Sequence, residues 1–535
     1  MNPSLRKVLC LFSLLIVISY GAVSQDWKTY PLAPAGSLVV FPQDEGWHSN
    51  EPVEWWYVSG HLTGETSGSN YSFMLSYFYY PAYSFDGFRI LNISNDDNEY
   101  FYSNTQAVNY NICATDSMNL ELSVLGSGTE IFRNLTTPDG NALPFEYELS
   151  TTPGTASLSL TLDALKPPLI LADSGYLYQG SNAYTYYYSL PKLLAEGSIE
   201  ADGITENVSG TAWIDRQYGS FNPSTGQEYE WFCIQLSNNV ELNVYNFFTD
   251  DSQIPDDLKY RLLAASVDEQ NQYTTSELTI ERLKYKYMRD FQRCYSQAWR
   301  ITSPINNLDI TLTTIKNSTE VFLPFRFYEG ALEVNGYYNG SAVTGKGFAE
   351  LLHSYEKPSI SVIDTAGASG NDYIVKWKVD NPDDGNPLLY DLSYSQGDSL
   401  SYQPIIHSLS DTSWVWNTSV LGEGSAVWLK IKAYSIDNTL TTEASTKLGT
   451  ELVSAPLIKT EPDIIIYPNP STGLVTIEGS DIQEITLIDA SGRLLKYFSK
   501  VSLTLTLDLE YLTKGVYYIK IRTSKNQYTR KLILK

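Results

Sequence analysis

Glu54-Trp-Trp-Tyr-Val-Ser-Gly60-His61-Leu62, followed after a short polar break by Ser72-Phe-Met-Leu-Ser-Tyr-Phe-Tyr-Tyr80, decides the fold of this chain. Aromatic and apolar runs of this length, bounded by turn residues, read as strands. In a strand, neighbours point to opposite faces, so of Trp55 and Trp56 one can line an interior cavity while the other packs away from it.

From about 40 to 355 the sequence continues as strand after strand. Tyr184 to Leu190 is another aromatic run, and Ala156 to Leu162 alternates as ASLSLTL. Within Trp231 to Phe248 two runs flank Asn238-Asn239; Asn tolerates positive φ, which predicts a two-residue hairpin turn. Ser276 to Arg293, richer in Glu, Lys, Arg and Leu, is the one stretch expected to be helical. The 41 Tyr, 11 Trp and 19 Phe beside abundant Ser, Thr, Asn and Gly predict an all-β protein.

Composition also excludes. A net charge of −25 repels phosphate backbones and anionic lipid surfaces, so no nucleic-acid partner is expected. Four histidines and four cysteines leave little for multi-histidine metal sites or Cys-x-x-Cys chemistry, and neither a metal nor a cofactor is expected. Any chemistry falls to carboxylates, tyrosines or arginine. Beyond Cys10, the cysteines Cys113, Cys233 and Cys294 can form at most one bridge. No Gly-x-Ser-x-Gly elbow supports a serine hydrolase.

Arg6 and Lys7 precede an apolar run from Val8 to Ile18, with the small residues Ala22-Val23-Ser24 after it, the pattern of a cleaved leader at 1–24. No membrane span is expected once it is removed. Residues 356–455 place short strands at sandwich-like spacing, with Tyr373-Ile-Val-Lys-Trp377, Leu389 to Tyr394 and Val427 to Tyr434. They resemble a fibronectin type III domain, although Trp428 stands where that family usually has Tyr, and they are expected to act as a spacer.

The last stretch, 460–535, carries ordered blocks. These are Ile464-Ile-Ile-Tyr467-Pro468-Asn469-Pro470, Gly473 to Ile477, Ile485 to Asp489 with Ser491-Gly492-Arg493, Leu512-Thr-Lys-Gly515-Val-Tyr-Tyr-Ile519 and the terminal Lys531-Leu-Ile-Leu-Lys535. They resemble the C-terminal sorting domain of type IX secretion cargo. That resemblance implies the type IX machinery as a partner, passage across the outer membrane, and a secreted or cell-surface location.

The block from Phe41-Pro-Gln-Asp44-Glu45-Gly46-Trp47-His48 through Glu54 to Leu62 resembles the start of the AttH-like, carotenoid-hydratase-type family. So do Gly210-Thr-Ala-Trp213-Ile-Asp215-Arg216-Gln217-Tyr218-Gly219, Glu230-Trp231-Phe232, Tyr328-Glu329-Gly330 and Gly345-Lys-Gly347-Phe-Ala-Glu350-Leu351. The resemblance implies two consecutive lipocalin-like β-barrels, at 25–195 and 196–355, with a cavity for a lipophilic small molecule such as an isoprenoid or lipid. The hydratases of the family carry His-x-Trp after the Asp and a Tyr-x-Asp pair on a later strand, to protonate an alkene and deliver water. Here Arg216 and Tyr218 stand at the first pair, and Tyr245 and Phe247 at the second. An arginine stays protonated and cannot hand a proton to an alkene. Asp215, Arg216, Tyr218 and Tyr245 are therefore candidate catalytic residues for altered chemistry, with an internal Asp215–Arg216 ion pair as the structural alternative. His48, Glu54, Trp55, Trp56, Tyr57, Trp231, Glu329 and Glu350 are candidate ligand contacts. Three readings stay open: a lipophilic-ligand binder, a hydrolase or hydro-lyase working in the cavity, and a non-enzymatic adhesion module.

Deleting 460–535 is expected to leave the protein in the periplasm. Fractionation and immunoblotting check this, and wild-type amounts at the cell surface or in the medium would refute the sorting assignment.

Overall fold

Strand β1 (Val53–Gly64) is paired on both edges and buried on both faces, so its sequence lacks a clean polar alternation. The computed structural model describes residues 26–80, 84–180, 183–222, 227–369, 371–380, 385–421, 426–448, 464–479, 482–489, 493–499, 504–523 and 527–535. The expected leader lies outside these residues.

From β1 the chain meanders through β2 (Asn70–Tyr79), β3 (Gly87–Asn95), β4 (Phe101–Cys113), β5 (Asn119–Val124), β6 (Gly128–Thr136), β7 (Ala142–Ser150) and β8 (Ser157–Ala164). After the short β9 (Leu169–Ile170) and β10 (Tyr176–Gln179) come two long strands, β11 (Ala183–Ala201) and β12 (Ile204–Gly219). All pairings are antiparallel. β12 returns to β1 and β11 pairs with β8, which closes a ring of ten strands. β11 changes neighbours along its length: its first half carries β9 and β10, its second half β8, and the register shifts between Leu190 and Leu193. Pro191, which has no N–H to give a ladder, sits at that shift. At Gly197 (φ 156°) a Cβ would stand 2.0 Å from the Ser159 carbonyl oxygen, so the closing pair requires glycine there. The expected division at 195/196 falls within β11; taking the sheets as units, we place it between Gly219 and Tyr229.

The second sheet comprises β13 (Tyr229–Leu236), β14 (Glu241–Phe247), β15 (Arg261–Ser266), β16 (Gln272–Thr275), β17 (Thr279–Tyr287), β18 (Cys294–Ser303), β19 (Leu308–Thr314), β20 (Glu320–Val321), β21 (Phe327–Tyr338) and β22 (Ser341–Leu351). Its order is β16-β15-β14-β13-β22-β21-β19-β18-β17, with β20 on β21, a half-barrel whose end strands do not pair with each other. The expected helix at Ser276 to Arg293 is instead β17 and the turn into β18. Ile280, Arg282 and Tyr285 point inward while Thr279, Glu281 and Lys284 face outward or half outward, a strand's division that the helix-forming composition masked. The hairpin at Asn238-Asn239 forms with a loop one residue longer than expected: the Leu236 N–H donates to the Val240 carbonyl, and Asn239 takes the positive φ, 64°.

Each sheet keeps a core on its concave side. Trp56, Val58, Leu62, Phe73 and Leu75 belong to the first; Phe232, Ile234, Leu242 and Val244 belong to the second. A third apolar cluster joins the outer faces, with Tyr57, Met74, Tyr187 and Trp213 against Trp231, Cys233, Tyr245 and Phe348. Hydrogen bonds cross the same seam, from Tyr57 Oη to Glu329 Oε1 (2.9 Å) and between His61 Nε2 and the Gly347 carbonyl (3.1 Å). Inside each sheet a buried arginine meets the glutamate that opens a Glu-Trp pair. Arg216 Nη2 lies 2.5 Å from Glu54 Oε1, with the guanidinium 4.2 Å over Trp56, and Arg282 Nε lies 3.0 Å from Glu230 Oε2. Among the described residues, none of Cys113, Cys233 and Cys294 is joined in a disulfide.

Farther along, Ser359–Ser369, Asp372–Asp380 and Ser413–Asn417 form a three-stranded sheet. Gln403–Leu409, Leu388–Gln396, Val427–Ser435 and Thr441–Leu448 form a four-stranded one. Trp377 is buried with its ring 5.4 Å from that of Tyr390. This segment contacts the second sheet: Asp437 accepts the Tyr285 N–H and Asn386 accepts the Tyr285 hydroxyl, both at 2.8 Å.

The C-terminal unit pairs Ile465–Tyr467, Leu474–Glu478 and Thr504–Asp508 in one sheet. Leu494–Ser499, Ile482–Asp489, Gly515–Thr523 and Gln527–Leu534 make the other. Asn469 of the Pro-Asn-Pro corner donates to the Lys531 carbonyl and accepts from the Ile533 N–H, which explains why that corner and the terminal block occur together. In the expected turn at Ser491-Gly492-Arg493, residues 491 and 492 lie outside the described residues.

Removing one member of a fully buried ion pair strands the other, at a cost of about 3–5 kcal/mol. Arg216→Met and Glu54→Ala are each expected to lose that much unfolding free energy in urea titrations, and the double variant clearly less than the sum. Additive losses would contradict the pairing.

Candidate functional site

The outer faces of the two sheets do not pack completely. Trp55, Tyr57, Ser76, Phe78, Gln179, Tyr187, Asp215, Gln217, Phe221, Tyr229, Trp231, Tyr245, Phe247, Phe325, Phe327 and Glu350 surround an inner cavity of about 50 Å³, room for a water or two. Beside it lies an outer cavity of about 560 Å³, walled by Val53, Tyr80, Phe85, Phe88, Pro324 and Leu352, with Glu228, Arg293 and Arg326 as its charged groups. Phe78 and Phe325 line both.

Strand alternation decides which expected residues meet here. On β12, Trp213, Asp215 and Gln217 face the seam, whereas Arg216 and Tyr218 face the interior of the first ring. On β1, Trp55 and Tyr57 face the seam, whereas Glu54 and Trp56 face inward. Six expected residues therefore line the inner cavity: Asp215, Tyr245, Trp55, Tyr57, Trp231 and Glu350. Glu329 lies behind the wall, bonded to Tyr57.

The other five are elsewhere. Arg216 donates to Glu54 and to the carbonyls of Trp55 and Gly46. His48 Nδ1 lies 2.9 Å from Glu54 and its Nε2 2.9 Å from Asp44, and its ring stacks on Tyr218 at 3.5 Å. Trp56 donates to the Glu45 carbonyl. The Asp215–Arg216 pair does not form, because adjacent residues of an extended strand cannot turn to the same side.

Asp215 is held by three donors: Ser189 Oγ and Tyr187 Oη at 2.6 Å, and Trp213 Nε1 at 2.7 Å. Burial pushes its carboxyl up to about 7, against those donors and with the charge of Glu350 adding to the rise. Tyr187 in turn accepts from Trp231 Nε1 and Asn243 Nδ2, both at 2.9 Å, so the acid is braced from both sheets. On the second sheet Glu350 takes the Tyr229 hydroxyl and sits at the paired position to Glu329 across β21 and β22. Burial raises both carboxyls, and the charge of Glu350 raises Glu329 further, so the two together favour holding a proton between them. Tyr245 closes one side, its hydroxyl 3.4 Å from the Leu258 carbonyl. Burial holds the Cys233 thiol well above its ordinary range, which leaves no thiolate nucleophile there.

Sequence reasoning missed the residues that brace the acid. Tyr187, Ser189 and Asn243 lie in runs already read as strands, and Asn243 shares a face with Tyr245 two positions on. The phase of β11 against β12 would have found them, but a sequence does not print register.

The chain belongs to the AttH-like family, whose model matches residues 32–355. Residues 465–535 match the secretion system C-terminal sorting domain, and the chain accordingly carries the address for type IX secretion to the cell surface or the extracellular space. A crystal structure from Nitrosomonas europaea described as an AttH is 21% identical, over 60% of this chain and 99% of that one, at a TM-score of 0.49. Kievitone hydratase from Nectria haematococca is 16% identical, over 61% of this chain and 99% of that one, at a TM-score of 0.48. No curated protein matches the chain in sequence.

Asp215 binds its proton more tightly folded (about 7) than unfolded (3.8), so its contribution to stability is full below about pH 4 and is lost as pH rises through 7. Wild type is therefore expected to lose melting temperature relative to Asp215→Asn between about pH 4 and pH 8. Glu45, also raised to about 7, titrates in both proteins and cancels. Parallel melting curves across that range would contradict the burial of Asp215 as an acid.

Proposed function

We propose that this secreted protein binds a lipophilic small molecule between its two sheets, with the apolar body in the outer cavity and a polar or unsaturated end directed at Asp215. The observation that carries this reading is the adjacency of the two cavities, which share Phe78 and Phe325 as lining residues, with a braced, buried acid in the inner one. Pockets of several hundred Å³ with apolar walls and a few convergent polar groups suit such ligands. Expected ligands are neutral or carry a hydroxyl or carbonyl, because a second carboxylate beside Asp215 and Glu350 would be repelled.

A second reading, acid–base transformation of that ligand, is favoured by one specific feature. Asp215 exchanges a proton near neutral pH, and a proton-holding carboxyl pair stands on the opposite sheet. An acid of that strength can protonate an alkene or a leaving hydroxyl, and the Glu329–Glu350 pair, once ionised, can take a proton from water, as a hydro-lyase requires. The hydratase motif itself does not supply this acid: a histidine placed at 216 would face the interior of the first ring.

Solvent extraction of the purified secreted protein followed by mass spectrometry is expected to release a lipophilic compound. Rebinding of that compound should quench tryptophan fluorescence. Trp55→Ala is expected to weaken rebinding at least tenfold with little change in melting. Trp56→Ala, which removes a core indole, is expected to cost about 3–5 kcal/mol of stability and to leave affinity unchanged in the folded fraction. Equal effects of the two substitutions on both readouts would sink the assignment.

A further inference from the structure

Residues 284–293, Lys-Tyr-Lys-Tyr-Met-Arg-Asp-Phe-Gln-Arg, carry four cationic side chains and one anionic one in a chain with 36 basic against 61 acidic residues. They form the end of β17 and its turn into β18. At the tip, Phe291 adopts φ 58° and is 76% exposed, with its ring 6.3 Å from that of Tyr287. A bulky residue in the left-handed region is strained, and this one gains no buried packing in return. Asn or Gly would suit the turn better, so the ring is unexplained by the fold.

A second exposed tip lies beside it. Phe322 and Leu323 are 60% and 62% exposed, while Phe325, three residues on, turns inward and lines both cavities. Arg326 ties the two tips together: Nη1 donates to Asp290 Oδ2 (2.7 Å) and Gln292 Oε1 (3.2 Å), and its guanidinium lies 5.1 Å over the Phe322 ring. Thr105 of the first ring donates to the Leu323 carbonyl at 2.8 Å, which anchors the loop from the other side. Arg293, Pro324, Phe325 and Arg326 of this rim are themselves walls of the outer cavity.

We propose that this rim is a docking surface for a phospholipid bilayer with anionic headgroups. Phe291, Phe322 and Leu323 enter the acyl boundary, and Arg289 and Arg293 reach the phosphates with their stems along the apolar surface, while Arg326 stays paired with Asp290 and Glu320 and holds the tips together. Exposed apolar tips mark an interaction site. The local reversal of charge selects an anionic surface that the rest of the chain repels. Because the outer cavity shares this rim, a ligand leaving the bilayer enters it without crossing water. That last step rests on the cavity reading above; the docking itself does not.

The test is flotation of the full secreted chain with vesicles of phosphatidylethanolamine and phosphatidylglycerol at low ionic strength. Wild type is expected to float with these vesicles and at least tenfold less with phosphatidylcholine alone. Phe291→Asn, which relieves the strained turn, should reduce flotation at least tenfold without lowering the melting temperature. Phe322→Ser with Leu323→Ser, and Arg289→Glu with Arg293→Glu, should do the same. Trp55→Ala should float like wild type while losing ligand, which separates a failure of docking from a failure of the cavity reading. Wild type that does not float, variants that float equally, equal flotation with phosphatidylcholine, or a lower melting temperature for Phe291→Asn would each overturn the proposal. A concentration-dependent dimer dissolved by Phe291→Asn, with no flotation, would assign the rim to a second copy of the chain instead.

Discussion

Burial on both faces of β1 and of the Ala212–Gly219 half of β12 is the constraint on which the rest of the molecule depends. An extended strand sends alternate side chains to opposite sides, so every motif on these strands serves two places at once. One set, Glu54, Trp56, Arg216 and Tyr218, fills the first ring. The other, Trp55, Tyr57, Asp215 and Gln217, walls the cleft between the sheets. The ring interior is the more satisfied of the two. Its arginine is paired with a glutamate and covered by an indole, and its histidine is clamped between two carboxylates. Burial pulls that histidine down, but hydrogen bonds to Asp44 and Glu54 outweigh it and raise it, and the same bonds hold the ring in place.

The cleft is built on the opposite principle. Its carboxyls face aromatic rings and one another instead of cations, so desolvation governs them and raises all three, Asp215 to about 7. Buried acids of this kind cost stability, and they persist here because hydroxyl, indole and amide donors from both sheets fix them in place. The same Glu-Trp pair opens both β1 and β13, and each pair sends its Trp to the cleft and its Glu to an arginine inside its own sheet. The two sheets thus present matching edges to one another, and the cavity lies where they meet.

The all-β architecture was legible from residue types alone, and the aromatic run Ser72 to Tyr80 is a strand as read. The charged stretch at Ser276 to Arg293 was misread because Lys, Arg and Leu favour helices locally, while pairing with β18 decides the matter at long range. Part of the candidate cavity's lining was legible as well, since Asp215 and Tyr245 could be picked from motif positions. Arg216 and Tyr218 could not be excluded until the phase of β12 against β1 was known, and the braces Tyr187, Ser189 and Asn243 come from strands whose register no local signal fixes.

The proposed apolar ligand sits between the sheets and not inside the ring, where a single-barrel lipocalin would hold it. A crystal structure of the secreted chain soaked with a bromine-tagged alkyl alcohol tests it most directly, because the anomalous signal locates the bromine without reference to any fitted shape. A peak beside Phe78, Phe325 and Trp55, with the hydroxyl toward Asp215, is the expected result. A peak inside the ring over Trp56, or none between the sheets at saturating probe, would contradict it.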